Sequence, residues 1–381
     1  MRNTLVLTAG LMLASCNGDT TSSRTAGQVA DGTTSTLRFV AFGDAGQASQ
    51  LGPDAQTAVG NAMADVCAER GCDLALEFGD NFYMSGVQST SDTQWQDKFE
   101  NPYARLQVPV FATLGNHDNS RSTGEGSDNA RGDFQVAYHD ATENVNRKWN
   151  MPARYYRFTA PLARQGNDFV INHPQPSRLP EQAQPPVVEF FSLDSSPLTA
   201  IVADPTPQWN YLTYGPLQLQ WYQQAIMASR APWKIAFAHH PYISNGLHGN
   251  AGDFDGTGNL STLPLTTSGK PWLDFHNEST CKLGVDFYMF GHDHDLEWLE
   301  PVERCGKTQF VLSGTSEQPR AFGDAKRNKT YFQKDNVLAF FWFEFKADRM
   351  TGTAYVLGAD RKLARNPDGT LVKAFEKTVF K

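Results

Sequence analysis

Residues 74–83 read LALEFGDNFY: a short apolar run from Leu74 to Phe78, then Gly79-Asp80, then Tyr83 three positions past the aspartate. A run this short, apolar but for Glu77, suits a buried strand. Its ending is as informative, because a glycine there lets the backbone turn sharply and come close to whatever the aspartate holds. The same construction recurs along the chain. LRFVAFGDAG (37–46) ends in Gly43-Asp44 and PVFATLGNHD (109–118) in Gly115-Asn116-His117-Asp118. KIAFAHHP (234–241) runs into His239-His240-Pro241, and VDFYMFGHDH (285–294) into Gly291-His292-Asp293-His294. Between the first two runs, Pro53-Asp54 opens a helical stretch to about Arg70, closed by Gly71. Such a β-α-β succession predicts an α/β (α+β) fold whose strand ends present loops on one side, where chemistry is usually placed.

Further along, Val187 to Leu193 reads as a strand, Pro216 as the first residue of a helix through Ser229, and Leu338 to Phe345 as the strongest run of a β-rich end. Residues 172–186 and 249–270 read as loops, the first rich in Pro and Gln, the second in Gly, Thr and Ser. The ligand-bearing segments span about 250 residues, too far apart for two autonomous domains. A single domain over about 37–381, built as two packed mixed sheets flanked by helices, is therefore expected.

Forty-one acidic against 33 basic residues give a formal net charge of -8. That balance argues against nucleic acid as the main partner, since phosphate-backbone binding needs clustered Lys and Arg. It does not exclude a small anionic substrate, because bound metals supply local positive charge. At the N-terminus, Arg2 and the apolar Leu5 to Leu13 form a targeting segment too short to span a bilayer. It ends Leu13-Ala14-Ser15-Cys16, which resembles the lipobox of bacterial lipoproteins, with the cysteine lipidated; an ordinary cleaved signal peptide is the alternative. Residues 17–36 read as a disordered tether. Both readings of residues 1–16 place the mature protein outside the cytoplasm, where Cys67, Cys72, Cys281 and Cys305 are expected to form disulfides.

The five strand ends together carry Asp44, Asp80 with Tyr83, Asn116 with His117, His239, and His292 with His294. Carboxylate and phenolate oxygens mixed with imidazoles suit Fe, Mn or Zn, and two metals held close together need a bridging ligand, which a carboxylate supplies best. Any one piece is weak: a Gly-Asp turn is usually only a turn, and a lone histidine is more often structural. All five following predicted strands in one direction is what points to a metal centre.

The series GDAG, GDNFY, GNHD, AHHP and GHDH resembles the calcineurin-like metallophosphoesterases, and Tyr83 resembles the purple acid phosphatase branch. RKWNMPARYYRF (147–158), FFSLDSS (190–196), LQLQWYQQAI (217–226) and TQFVLSGT (308–315) are similar to stretches of the short, mammalian-type (tartrate-resistant-like) members. The resemblance implies a four-layer αββα sandwich. It implies a ferric ion, Fe(III), held by Asp44, Asp80, Tyr83 and His294, and a divalent ion (Fe, Zn or Mn) held by Asp80, Asn116, His239 and His292. His117 and His248 would contact phosphate and assist proton transfer. The activity implied is acid phosphatase hydrolysis of small phosphomonoesters by a metal-bound hydroxide. Where the family often has an acidic residue just before that second histidine, this chain has Leu247, which puts the low-pH proton relay in doubt.

The disulfide pairing expected is Cys67–Cys72, closing the end of the helix, and Cys281–Cys305, stapling the GHDH strand to its neighbour. Residues 197–215 are expected as a loop at the mouth of the site, with Trp209, Tyr211 and Tyr214 either contacting ligand or packing the loop down. His139, His173 and His276 match no role. Two other functions remain open on the sequence: a phosphodiesterase or nucleotide hydrolase on the same fold, which Tyr83 disfavours, and a non-enzymatic lipid-anchored binding protein, which missing ligands would support. None is missing.

Overall fold

The computed structural model describes residues 36–46, 54–122, 124–162, 164–165, 168–169, 186–200, 202–258 and 267–381. The leader with Cys16, nearly all of the tether, and His173 with most of its loop lie outside the described residues. In chain order the elements begin β1 (Leu37–Phe42), α1 (Asp54–Arg70), β2 (Leu74–Glu77), β3 (Val110–Ala112), α2 (Gly132–Tyr138), β4 (Trp149–Asn150) and β5 (Tyr156–Ala160). A small hairpin, β6 (Arg164–Gln165) and β7 (Asp168–Phe169), leads to β8 (Val188–Ser192), α3 (Ser196–Thr199), α4 (Tyr211–Ala228), β9 (Trp233–Phe237) and α5 (Lys270–Glu278). The rest is β: β10 (Phe287–Phe290), β11 (Leu296–Leu299), β12 (Gln309–Ser313), β13 (Thr330–Lys334), β14 (Ala339–Phe345), β15 (Arg349–Val356) and β16 (Phe375–Phe380).

Two seven-stranded mixed sheets result, ordered β16-β15-β14-β1-β2-β3-β4 and β13-β11-β12-β10-β9-β8-β5. In the first, β1 to β4 run parallel and β14 to β16 add antiparallel strands. In the second, β8, β9, β10 and β12 are parallel. Aromatic side chains glue the sheets face to face. Phe39 of β1 meets Phe190 of β8 edge-on at 5.5 Å, Phe111 of β3 stacks on Phe158 of β5 at 3.9 Å, and Trp298 of β11 meets Phe341 of β14 at 6.1 Å. Outside the first sheet, Arg70 of α1 lies 3.5 Å over the Trp342 ring. Outside the second, Tyr222 of α4 packs on Phe191 and stacks on Phe275 of α5. The layering is αββα, as the motif series implied, and the central strands are apolar on both faces because both faces are covered.

Cys67 is bonded to Cys72 at the end of α1, and Cys281 to Cys305 across the segments that lead into the paired strands β10 and β12. One helix boundary differs from the sequence reading. α4 begins five residues before Pro216, because the Asn210 side chain caps it by accepting from the Leu212 N–H at 3.1 Å. Pro216 therefore sits inside the helix.

His276 of α5 is fully buried among Trp272, Phe275 and Tyr288, and its Nε2 has no partner among the described residues. Burial pushes its pKa down to about 3. The unfolded chain, with an ordinary histidine, then binds more protons than the folded one between that value and about 6.5, so stability falls as pH falls through this window. Between about pH 7.5 and pH 5 the loss should be about 2 kcal/mol from this one group. Urea unfolding at both pH values should show the gap between wild type and His276→Leu shifting by that amount. A gap independent of pH would mean the ring is not held neutral.

Candidate metal centre

β1, β2 and β3 are adjacent, and their C-terminal ends deliver Asp44, then Asp80 and Tyr83, then Asn116 and His117. In the facing sheet, adjacent β9 and β10 deliver His239, then His292 and His294. The two sets meet where the sheet ends converge. The His292 N–H donates to Asp44 Oδ2 at 2.9 Å across 248 positions of chain.

Two groups of donor atoms are resolved. In the first, the Tyr83 hydroxyl donates to Asp44 Oδ1 at 3.0 Å and lies 3.2 Å from His294 Nε2. In the second, Asn116 Oδ1 lies 2.9 Å from His239 Nε2 and 3.1 Å from His292 Nδ1, and the two ring nitrogens are 3.1 Å apart. Asp80 stands between them. Its Oδ2 is 3.3 Å from His239 Nε2, its Oδ1 accepts from the His117 N–H at 2.8 Å, and its charge also acts on Tyr83.

The ring tautomers decide what these groups can hold. His239 Nδ1 faces the Phe78 carbonyl at 2.8 Å and His294 Nδ1 the Gln318 carbonyl at 2.6 Å. A carbonyl only accepts, so the hydrogen-bond network assigns the proton to Nδ1 in both rings and turns the Nε2 lone pair toward the cluster. His239 Nε2, Asn116 Oδ1 and Asp80 Oδ2 then converge as three acceptors, with His292 Nδ1 the neighbouring ring nitrogen at 3.1 Å from the first two. Burial pulls His239 down, yet the Asp80 and Asp44 carboxylates hold it up at about 9. Burial, opposed by His239 and aided by Asp80, pushes Asp44 up to about 8. Burial with the Asp44 and Asp80 carboxylates lifts the Tyr83 phenol well above its usual range. Converging lone pairs, two buried carboxylates and a buried phenol fit a pair of metal cations, whose charge reverses this pKa pattern.

Backbone strain concentrates here. Asp44, Asp80 and His292 themselves take left-handed φ of 55°, 53° and 73°. The expectation that the preceding glycines make the turns holds for Gly79, at φ 80°, and otherwise needs correction. Gly115 is required for approach instead: a Cβ there would lie 2.1 Å from Asp80 Oδ1.

The sequence did not single out what holds this arrangement in place. Asp118 accepts from the N–H groups of Gly115, Asn81 and Phe82 at 2.8–3.1 Å, tying two ligand loops together. Asp293 does the same for Ser244 Oγ, His248 N and Gly249 N. Both lie inside the quoted motifs, which was the available signal. Half-buried Arg154 links Asp194 at 2.7 Å to Asn119 at 2.8 Å. Tyr214, within the stretch expected as a mouth loop, is buried and donates to the same Asp194 at 2.9 Å, while Trp209 lies 5.9 Å from the Arg154 guanidinium. These two aromatics pack the segment down, and Tyr211 belongs to α4. His240 also lies near, but its nitrogens meet the hydroxyls of Ser195 at 2.8 Å and Thr199 at 3.1 Å.

His117 Nδ1 faces the Met84 carbonyl at 2.9 Å. The His248 ring lies 4.2 Å from that of His292, and its Nδ1 is 2.7 Å from Asp255 Oδ1. Burial lowers the His248 pKa, but Asp255 and Asp293 outweigh it and the net direction is upward.

A family profile described as calcineurin-like phosphoesterase matches residues 37–296. Tartrate-resistant acid phosphatase type 5 of Sus scrofa is 27% identical, the match covering 99% of this chain and 93% of that protein. GAP50, the anchor in the inner membrane complex of Plasmodium, superposes with a TM-score of 0.59 at 15% identity over 91% of this chain and 89% of its own. Purple acid phosphatase PPD1 of yellow lupin (Lupinus luteus) seeds gives 0.55 at 15% identity over 91% and 54%. The two structural likenesses concern the fold.

Proposed function

The chain belongs to the calcineurin-like phosphoesterase family, and we propose that within it the chain is a purple acid phosphatase acting on small phosphomonoesters. Metal-dependent phosphoester hydrolysis is the family's chemistry, and we infer the monoester preference and the iron-containing pair. The observation that carries them is Tyr83, whose buried oxygen sits 3.0 Å from Asp44 and 3.2 Å from His294 as one of a set of metal-binding atoms. A phenolate there suits a hard trivalent ion. Asp44, Tyr83 and His294 would hold Fe(III), Asn116, His239 and His292 a divalent ion (Fe, Zn or Mn), with Asp80 shared. When bound, the pair supplies Lewis-acid charge neutralisation and lowers the pKa of water.

The chain's own residues do the rest. His117 donates Nδ1–H to the Met84 carbonyl, which fixes the ring and leaves Nε2 as the atom that meets a phosphoryl oxygen as charge develops. His248 is held through its backbone N–H by Asp293 at 2.7 Å. As the bond from phosphorus to the ester oxygen breaks, His248 gives that oxygen its proton. His248→Ala should therefore slow alkyl phosphates by about 100-fold and barely touch activated aryl phosphates, whose leaving oxygen needs no acid. Equal losses on both would make His248 a binding residue.

Two disulfides suit an oxidising compartment, which with the leader supports an extracytoplasmic protein, lipid-anchored through Cys16 or simply secreted. Among the described residues no helix is long and apolar enough to cross a membrane. The deciding experiment compares 4-nitrophenyl phosphate with bis(4-nitrophenyl) phosphate. The monoester should win in kcat/KM by at least about 10-fold, since a diester offers fewer charged oxygens to the site. A preference for the diester would select the phosphodiesterase reading instead.

A further inference from the structure

We propose that Asp255 is the positioning residue for His248, taking the place of the acidic neighbour that this chain lacks at Leu247. The proposal deepens the phosphatase reading above and rests on it for the role of His248. Leu247 is exposed and brings no polar atom to the ring. The carboxylate arrives instead from a short turn, residues 254–256, seven positions downstream. Its contact with His248 is two-pointed: Asp255 Oδ1 accepts from Nδ1 at 2.7 Å, and the Asp255 N–H donates to the His248 carbonyl at 2.9 Å. Such a clamp fixes the ring orientation and holds one proton on Nδ1, so the second proton, on the outward-facing Nε2, is the one that His248 gives to the leaving oxygen.

The turn itself is built against the metal centre. Phe254 packs 5.9 Å from the rings of both His240 and His292, and the Asp293 carboxylate accepts from the His248 N–H at 2.7 Å. Asp255 also adopts φ 56°, ψ 24°, a left-handed conformation that asparagine and aspartate tolerate better than most residues. Its side chain is 46% exposed, so its pairing with His248 adds little to stability. An aspartate held in a strained turn, with its carboxylate on an active-site histidine, is better explained by orientation than by folding.

The left-handed φ dictates the variants. Alanine would add strain of its own, whereas Asp255→Gly removes the carboxylate without strain and Asp255→Asn keeps both the conformation and an acceptor oxygen. With glycerol 2-phosphate, Asp255→Gly should lower kcat by about 10-fold while changing 4-nitrophenyl phosphate by less than about 2-fold, KM staying level for both. Asp255→Asn should recover most of that loss. On a His248→Ala background, Asp255→Gly should have no further effect. Equal losses on the two substrates, or losses that add to those of His248→Ala, would overturn the proposal. An arm independent of turnover uses 15N spectra of protein loaded with diamagnetic gallium and zinc. His248 should carry its proton on Nδ1 in the wild type and as a tautomer mixture in Asp255→Gly; identical spectra would also overturn it. Wild-type protein inert toward both monoesters would remove the phosphatase reading alone, with the spectra still reporting on Asp255.

Discussion

Asp80→Gly, which the left-handed φ of 53° at this position accommodates, should leave a folded protein that holds less than half of the wild-type metal and turns over phosphomonoesters at least about 1,000-fold more slowly. The size of the effect follows from where the carboxylate stands. One oxygen faces His239 Nε2 at 3.3 Å and the other fixes the His117 backbone at 2.8 Å. Removing it takes away the ligand expected to be common to both ions and loosens the loop that presents His117. The fold should survive, because Asp80 raises the pKa of neighbouring Asp44, and losing one of two buried carboxylates relieves repulsion in the metal-free chain. Circular dichroism, metal-to-protein ratio and kcat together check this. A variant that keeps two ions per chain at wild-type affinity would mean that Asp80 does not bridge them, whatever its effect on rate.

The parts of this molecule that were legible in the sequence are those where one residue type serves both fold and site. Strands such as Phe39-Val40-Ala41-Phe42 are buried on both faces, so they read as unbroken apolar runs, and the polar residues that end them stand out. His239 and His292 could be placed at strand ends for that reason, and the structure puts their ring nitrogens 3.1 Å apart. What could not be read depends on contacts without fixed spacing. Pro216 looks like a helix start until the Asn210 cap is seen six residues ahead of it. Left-handed φ at Asp44, Asp80 and His292 has no sequence signature, since each follows a glycine that seems sufficient to make the turn. Asp255 is one acidic residue in a loop rich in Gly and Asp. Only the folded turn shows that its carboxylate reaches His248.

Tyr83→Phe should abolish the visible absorption band of the iron-loaded protein while leaving the fold and the remaining ligand positions in place. A phenolate bound to ferric iron gives a charge-transfer band, and the mutation removes the one oxygen that can produce it. Two features of the structure support a clean result. Tyr83 and Phe82 diverge: Phe82 packs on Trp95 at 4.8 Å and Trp149, whereas the Tyr83 ring turns to His117 at 4.3 Å and places its hydroxyl on Asp44. A phenylalanine keeps the ring contact with His117, so packing is preserved while the donor to Asp44 is lost. In the metal-free protein the phenol is held far from ionisation by burial and by the Asp44 and Asp80 carboxylates, so the band should also be absent before iron is added. It should appear in proportion to bound iron, with no contribution from a free phenolate. Stoichiometric iron in the wild type without such a band would exclude Tyr83 from the metal shell. The fold and the other ligand positions would then describe a metallophosphoesterase without the phenolate that distinguishes the purple enzymes.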